Sequence, residues 1–331
     1  MESGFFMGYD ASWLDESEIL RQTRLLLDTG LYSAGYRLIR LGEIRGKSIR
    51  DARQLAAMLH ARGFQLDVTL RPSDDAEIAA TLADTLGARM ITLPETMTAE
   101  SRDAIAAALA GKARIAVCAK PEDFERAAKV ADVVELHTIS ETDDFFEITR
   151  NRLDSCRDGD TDASASDANL RNGALRPGGA WQPGNLPLRF DAYRNEAVFT
   201  QYCMQGCPLV LEGDIAQLPA ATLTLLQNAK LIALAGRGPG CVTRYYDPWH
   251  VLLTKPLSNR SACAMILNRC HGDRPTDILP ADFDWECRFS IRELLSDQLV
   301  GANLGGFEVH VETSDHPETP CCRLYYVEKL D

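Results

Sequence analysis

The sequence predicts an α/β protein, with a (β/α)8 TIM barrel over residues 1–235 and a C-terminal antiparallel β-sandwich over residues 245–331. Two observations lead to this prediction. Strand-like and helix-like segments alternate through the first part of the chain, which is typical of a parallel sheet with helices outside it. After Tyr245 the segments are short, strand-like and separated by turns such as LSNRS, which indicates an antiparallel domain.

The alternation can be followed segment by segment. A helix with Gly30 as its C-cap precedes the strand YRLIRLGEI, and a second helix stops at Gly63 before the strand FQLDVTL. Further pairs follow, and the predicted strands among them are RMITLP, ARIAVCA, DVVELHTI and PLVLEGD. Closure of these repeated units into an eight-stranded barrel is the natural arrangement.

Two segments interrupt this regular pattern. Residues 150–187 are rich in Asp, Ser, Asn, Gly and Pro, so we expect either a long loop at the barrel mouth or local disorder. The stretch GRGPG at 236–240 follows a helix and does not join a strand to a helix, which favours an interdomain linker over a phosphate-binding loop.

Composition and charge exclude several classes of function. The formal net charge of −13 argues against nucleic acid or an anionic membrane as a partner. The N-terminus has no basic region followed by a long apolar run, so no signal peptide is predicted. The ten cysteines form no Cys-x-x-Cys motif and several lie in apolar runs, which is typical of a reducing cytoplasm. Cys203 and Cys207 share one helix face without a partner motif, so we expect no metal and no cofactor.

Several stretches resemble the melibiase (α-galactosidase) family, in the family's order and over nearly the whole chain. They are MGYDASW at 7–13, DTGLYSAGYRLIRLGEI at 28–44, PGGAWQPGNL at 177–186, CMQGCPLVLEGDIAQL at 203–218 and KPLSNRSACAMILNR at 255–269. The resemblance implies the barrel-plus-sandwich fold. It also implies a retaining glycosidase ancestry, whose chemistry needs two carboxylates about 5 Å apart.

The positions that match the family's catalytic carboxylates have changed. The family's nucleophile is an aspartate at the end of the fourth strand, and the matching triplet here ends in Pro94. The acid/base position falls at Thr138 or Ile139. The candidate catalytic residues are therefore nearby acids, namely Glu95, which strand alternation turns away, and Asp143 and Asp144.

The positions that grip the sugar in the family are also altered. Gly42, Glu43 and Arg45 stand where the resemblance implies two aspartates and a tryptophan. The third strand ends in Arg71 in place of an aspartate, and the PGGAWQPGNL loop has Gln182 and Gly184 where the family has aspartates. Asp214 matches a family aspartate that we interpret as structural. The candidate substrate-binding residues are Tyr9, Asp10, Glu43, Arg71 and Trp181.

Three hypotheses remain open. The first is a divergent α-galactosidase-like protein without the family's activity, acting as a carbohydrate-binding or regulatory pseudoenzyme. The second is an active glycoside hydrolase on another sugar, with relocated carboxylates among Asp10, Glu43, Glu95, Glu141, Asp143 and Asp144. The third is a structural subunit that pairs with an active homologue through its sandwich. Together the aromatic residues Tyr9, Trp13 and Trp181 favour a carbohydrate ligand, while each alone fits barrel packing equally well. Assembly into a homo-oligomer is left open.

Overall fold

The computed structural model of the protein describes thirteen stretches of the chain. They are residues 6–42, 49–119, 123–127, 129–136, 174–176, 179–182, 186–187, 192–206, 208–237, 241–246, 250–268, 275–311 and 321–330. Most of the polar segment at 150–187 lies outside these residues, so the expectation of a long loop or local disorder there stays a prediction. Glu43, Arg45 and residues 137–150 also lie outside them.

The first part of the chain alternates strands with helices, as predicted. Its strands are β1 (Met7–Asp10), β2 (Leu38–Leu41), β3 (Gln65–Thr69), β4 (Met90–Leu93), β5 (Arg114–Ala119) and β6 (Val133–Leu136). Its helices are α1 (Glu16–Asp28), α2 (Leu31–Ala34), α3 (Ile49–Ala61), α4 (Ala76–Leu86), α5 (Ala99–Leu109) and α6 (Phe124–Ala127). Then come β7 (Ala174–Arg176), β8 (Gly179–Gln182), β9 (Leu186–Pro187), α7 (Ala192–Gln205), β10 (Leu209–Glu212), α8 (Ala220–Leu226) and α9 (Ala229–Ala235).

Local sequence explains where these helices begin and end. The side chains of Asp15, Asp75 and Thr98 accept hydrogen bonds from the first turns of α1, α4 and α5. Each such N-cap stabilises its helix by about 1 kcal/mol. Gly30 lies just beyond α1 with φ 83°, the left-handed conformation that glycine adopts without strain. These caps place each helix directly after a strand, so the loops at the carboxyl ends of the strands stay short.

The strands of the first part form one sheet of the TIM-barrel type, and its pairs from β8 along the order to β9 are parallel. Their order is β7-β8-β6-β5-β4-β3-β2-β1-β10-β9. β8 pairs with β6 and β9 pairs with β10, both in parallel. Only three residues separate β8, one strand in from the β7 edge, from β9 at the opposite edge, so the chain passes directly from one end of the sheet to the other.

The last part of the chain is an antiparallel β-sandwich. It consists of β11 (Val242–Tyr246), β12 (His250–Pro256), β13 (Ser261–Asn268), β14 (Pro275–Ile278), β15 (Phe289–Glu293), β16 (Leu299–Leu304), β17 (Phe307–His310) and β18 (Cys321–Lys329). A six-stranded sheet, β11-β12-β13-β18-β15-β16, and the pair β14-β17 enclose a common apolar core that includes Ile266, Ile278, Phe289, Val309 and Val327. The predicted fold class is confirmed.

Two compact units divide the chain. The first comprises Met1–Ile139, Arg176–Leu188 and Pro208–Leu223, and the second comprises Ser140–Leu175, Arg189–Cys207 and Thr224–Asp331. The helices α7 and α9 therefore belong to the second unit. The domain boundaries at residues 235 and 245 stay predictions.

Candidate functional site

The lower part of the barrel interior is apolar. Leu38, Met90, Ala116 and Val133 form one buried cluster, against which Phe6 packs. These side chains come from β2, β4, β5 and β6, which are not all neighbours, so they can meet only across the inside of the barrel. Because side chains alternate along a strand, Arg40 and Thr92, two residues further on, also face the interior.

A polar layer lies above this apolar cluster. Arg40 Nε lies 2.7 Å from Asp67 Oδ2, and Thr92 Oγ1 donates to both oxygens of the same carboxylate at 2.8 and 3.0 Å. Arg40 Nη1 is 3.9 Å from Asp10 Oδ2. All four side chains are buried, and Asp67 is 0% exposed. Neighbouring strands β1 to β4 thus contribute one charged or polar group each to a single connected network.

The strand register brings the three charged residues of this layer together. Asp10 pairs with Arg40 across β1 and β2, and Arg40 pairs with Asp67 across β2 and β3. Residues in register on neighbouring parallel strands share a face of the sheet. A charge buried without a partner would be costly, and the alternating signs of Asp10, Arg40 and Asp67 offset that cost.

The end of β4 is the position where the resemblance places a nucleophile. β4 ends at Leu93, and Pro94 follows it directly. Arg102 of α5 donates from Nη2 to the carbonyl oxygen of Glu95 at 2.7 Å, and it lies 3.4 Å from that of Pro94. The N–H of Met97 donates to Pro94 O at 3.1 Å, so the chain turns at once. This strand end is fixed, and its first residue beyond the strand has no carboxylate.

The ends of β1 and β2 lie against each other. A Cβ atom on Gly42 would be 2.0 Å from the carbonyl oxygen of Ser12. Ser12 N–H donates to Asp10 Oδ1 at 2.8 Å. The next residue in this loop, Trp13, is 59% exposed. The loop at the end of β1 thus presents an indole ring to solvent, whereas position 42 has no room for any side chain.

Tyr9 is buried, 1% exposed, and its hydroxyl donates to Gly213 O at 2.6 Å. Burial raises the pKa of Tyr9 well above its usual value, and the carboxylates of Glu18, Asp214 and Asp10 add to this effect. The residue therefore presents no exposed ring face. Asp214 accepts hydrogen bonds from Gln22 Nε2 at 2.8 Å and from Ala216 N–H at 3.0 Å.

Solved structures provide the comparison for this arrangement. The chain is similar to α-galactosidase I from Mortierella vinacea, with a TM-score of 0.76, 14% identity and coverage of 97% of this chain and 96% of that one. It is also similar to a variant β-L-arabinopyranosidase from Geobacillus stearothermophilus in complex with arabinose, with a TM-score of 0.77, 13% identity and coverage of 100% and 98%. A third similar structure is the Saccharomyces cerevisiae α-galactosidase with raffinose, with a TM-score of 0.74, 15% identity and coverage of 98% and 97%.

The chain has a melibiase-like fold. No protein-family model and no curated protein sequence matches it. Sequence identities of 13–15% establish a shared fold and do not extend to a shared chemistry.

Some of the predicted site residues lie in the part of the chain that the structure describes, and others do not. Asp10 lies in the polar layer, Arg71 is exposed after β3, and Glu95 is half-buried after β4. The backbone of Trp181 lies in β8 level with Val134, while its side chain lies outside the described residues. Glu43, Glu141, Asp143 and Asp144 also lie outside them. The roles of all these residues stay predictions.

Sequence reasoning missed Arg40, Asp67 and Thr92. Their signal was a charged or hydroxyl side chain inside each of the strands LIRL, QLDVT and MITL, and in LIRL and MITL it is the only polar residue. Arg40 and Asp67 have opposite charges and lie at equivalent positions of neighbouring strands, which would have indicated an ion pair. Within the described ranges, no group of three His, Cys, Asp or Glu side chains is arranged to hold a metal ion. None of the helices in those ranges has the length and apolar character needed to cross a bilayer.

Proposed function

We propose that this protein binds a carbohydrate at the mouth of its melibiase-like barrel and lacks retaining glycosidase activity. The observation that carries the proposal is Pro94, which follows β4 directly at the position that the resemblance assigns to the nucleophile. A proline cannot form a glycosyl ester, so covalent catalysis at this strand end has no nucleophile.

The carboxylates of the polar layer do not replace the missing one. A retaining mechanism needs two carboxyl groups about 5 Å apart that both reach the glycosidic bond. Asp67 is 0% exposed and bound by Arg40 and Thr92. Asp10 is also buried and accepts a hydrogen bond from Ser12 N–H. Both groups therefore act within the protein as partners for cations and N–H or O–H donors.

Two observations support a carbohydrate as the ligand. Trp13 presents a largely exposed indole ring on a loop at the carboxyl ends of the strands, where TIM barrels place their sites. Aromatic rings offer a flat apolar surface for the C–H face of a pyranose. Structures with a similar fold contain arabinose or raffinose, which is a property of those proteins and here a guide to the class of ligand.

The test is a titration of the full chain with methyl α-D-galactoside and, separately, with methyl β-L-arabinopyranoside, in which NMR detects binding. We expect saturable binding that Trp13→Ala weakens by about tenfold or more, as for loss of a large aromatic contact. The matched control is Leu299→Ala, which shortens a 49% exposed apolar residue of the sandwich. Absence of binding by the wild-type protein to both sugars would contradict the proposal.

A second candidate is an active glycoside hydrolase with relocated carboxylates. The observation that favours it is Glu95, which is half-buried one residue after Pro94 and whose backbone is held by Arg102. An acid fixed beside the nucleophile's usual place is a candidate for its role. This candidate predicts turnover that Glu95→Gln abolishes, whereas the first predicts no turnover.

A further inference from the structure

The loop at Ala11–Leu14, which carries Trp13, is attached to both β1 and β2. Ala11 N–H donates to Arg40 O at 2.9 Å, which fixes the start of the loop to β2. Ser12 N–H donates to the Asp10 carboxylate at 2.8 Å, which fixes its middle to β1. Leu14 N–H donates back to Ala11 O at 3.1 Å and closes the turn. The backbone on either side of Trp13 is thus held in place.

Gly42 supplies the third constraint. A Cβ atom at this position would lie 2.0 Å from the carbonyl oxygen of Ser12, 2.7 Å from its carbonyl carbon and 2.9 Å from its Cα. All three are backbone atoms and cannot rotate away as the end of a side chain can. Any side chain at position 42 would therefore push the loop off β2.

We propose that Gly42 and Asp10 are positioning residues for Trp13. This inference rests on the proposed carbohydrate-binding function, in which the sugar stacks on Trp13, and it names the residues that hold the ring in place. The resemblance implies an aspartate at position 42. Its Cβ atom would occupy the space of the Ser12 backbone, so an aspartate there is incompatible with the observed position of the loop that carries Trp13.

The physical benefit of this arrangement is preorganisation. A stacking contact gains affinity when the ring is already in place, since less conformational entropy is lost on binding. The hydrogen bond from Ser12 to Asp10 and the close approach at Gly42 restrict the backbone that carries the indole ring. Loss of either constraint should weaken binding without removing any atom that contacts the sugar.

The first test compares Gly42→Ala with Gly305→Ala. A Cβ atom on Gly305 meets nothing within 4 Å, so this control adds the same methyl group without a clash. The emission of Trp13 is obtained in each background as the difference from the matching Trp13→Phe protein. We expect Gly42→Ala to shift this emission and to weaken binding of methyl α-D-galactoside by about tenfold, the size of a lost aromatic contact. Gly305→Ala should leave both unchanged.

The second test uses Asp10, in case Gly42→Ala fails to fold. Asp10→Asn keeps an oxygen that accepts from Ser12 N–H, whereas Asp10→Ala removes it. We expect the wild-type Trp13 emission in Asp10→Asn and a shifted emission in Asp10→Ala. A role of Asp10 as a charge alone predicts the same change in both variants.

The inference is overturned if Gly42→Ala, or Asp10→Ala where the former does not fold, keeps both the wild-type Trp13 emission and the wild-type affinity. A wild-type protein that binds neither sugar overturns the proposed function. The emission difference still decides whether Gly42 and Asp10 position Trp13, so the two failures are distinguishable.

Discussion

Arg40 and Asp67 form an ion pair in the interior of the barrel, with 2.7 Å between Nε and Oδ2. The side chain of Asp67 has no exposure to solvent, and Thr92 donates a hydrogen bond to the same carboxylate. Arg40, Asp67 and Thr92 therefore link β2, β3 and β4. Thr92 lies two residues before Pro94, which follows the end of β4. The polar layer is therefore a buried structural element of the barrel.

Removal of one partner should destabilise the protein strongly. We expect Asp67→Ala to lower the free energy of unfolding by about 3–5 kcal/mol, because it leaves the Arg40 cation buried with its main partner gone. Urea unfolding followed by circular dichroism measures this change. The matched control is Asp84→Ala, which breaks a surface pair with Lys112 of 2.9 Å. Its effect should stay below about 1 kcal/mol, and similar losses in both variants would contradict the prediction.

The buried cysteines of the second unit should resist alkylation in the native protein. Burial raises the pKa of Cys241 and Cys263 to about 12, with Lys255 acting in the opposite direction. Burial also raises the pKa of Cys203. Since the thiolate is the reactive form, these three should react with iodoacetamide only after unfolding.

The half-buried Cys118, Cys287 and Cys322 provide the internal control. Mass spectrometry after timed alkylation should show modification at these positions first among the cysteines that the structure describes. Early modification of Cys263 in folded protein would show that this part of the sandwich opens readily.

Asp214 should make stability depend on acidity. Hydrogen bonding from Gln22 lowers the pKa of the Asp214 carboxyl, and Ala216 N–H and Arg21 contribute further. A depressed pKa in the folded state means that the contribution is complete above the unfolded value of about 3.9 and is lost as pH falls through the folded value. The difference in unfolding free energy between wild type and Asp214→Asn should therefore shrink below about pH 4. A difference that stays constant with pH would contradict this prediction.

Much of the fold could be predicted because its signals are local. The predicted strand RMITLP is observed at Met90–Leu93, and the helix of the βα pair before it is observed at Ala76–Leu86. A capping aspartate, a terminal glycine and a proline mark these ends in the sequence itself. The sequence segments interpreted as sandwich strands did not include β11, β14 or β16. β16 contains Gly301 and Asn303 and has no buried face, so it lacks the alternation that identifies a strand.

The polar layer could not be predicted because it depends on register. Arg40, Asp67 and Thr92 are far apart in sequence, and each lies on a different strand. Only the pairing of β2 with β3 and of β3 with β4 places them in contact. The close approach of Ser12 to Gly42 has the same origin, since it requires β1 and β2 to lie side by side.

The central proposal is that this melibiase-like barrel has no retaining catalysis at the end of β4. The most direct measurement is turnover of an aryl α-galactoside at high enzyme concentration, in the wild type and in Pro94→Asp. We predict no turnover above background in either protein, because Pro94 has no carboxylate and restoring one does not supply the leaving group's acid at Thr138 or Ile139. Turnover by the wild type that disappears in Glu95→Gln or Asp143→Asn would contradict the account and establish relocated carboxylates.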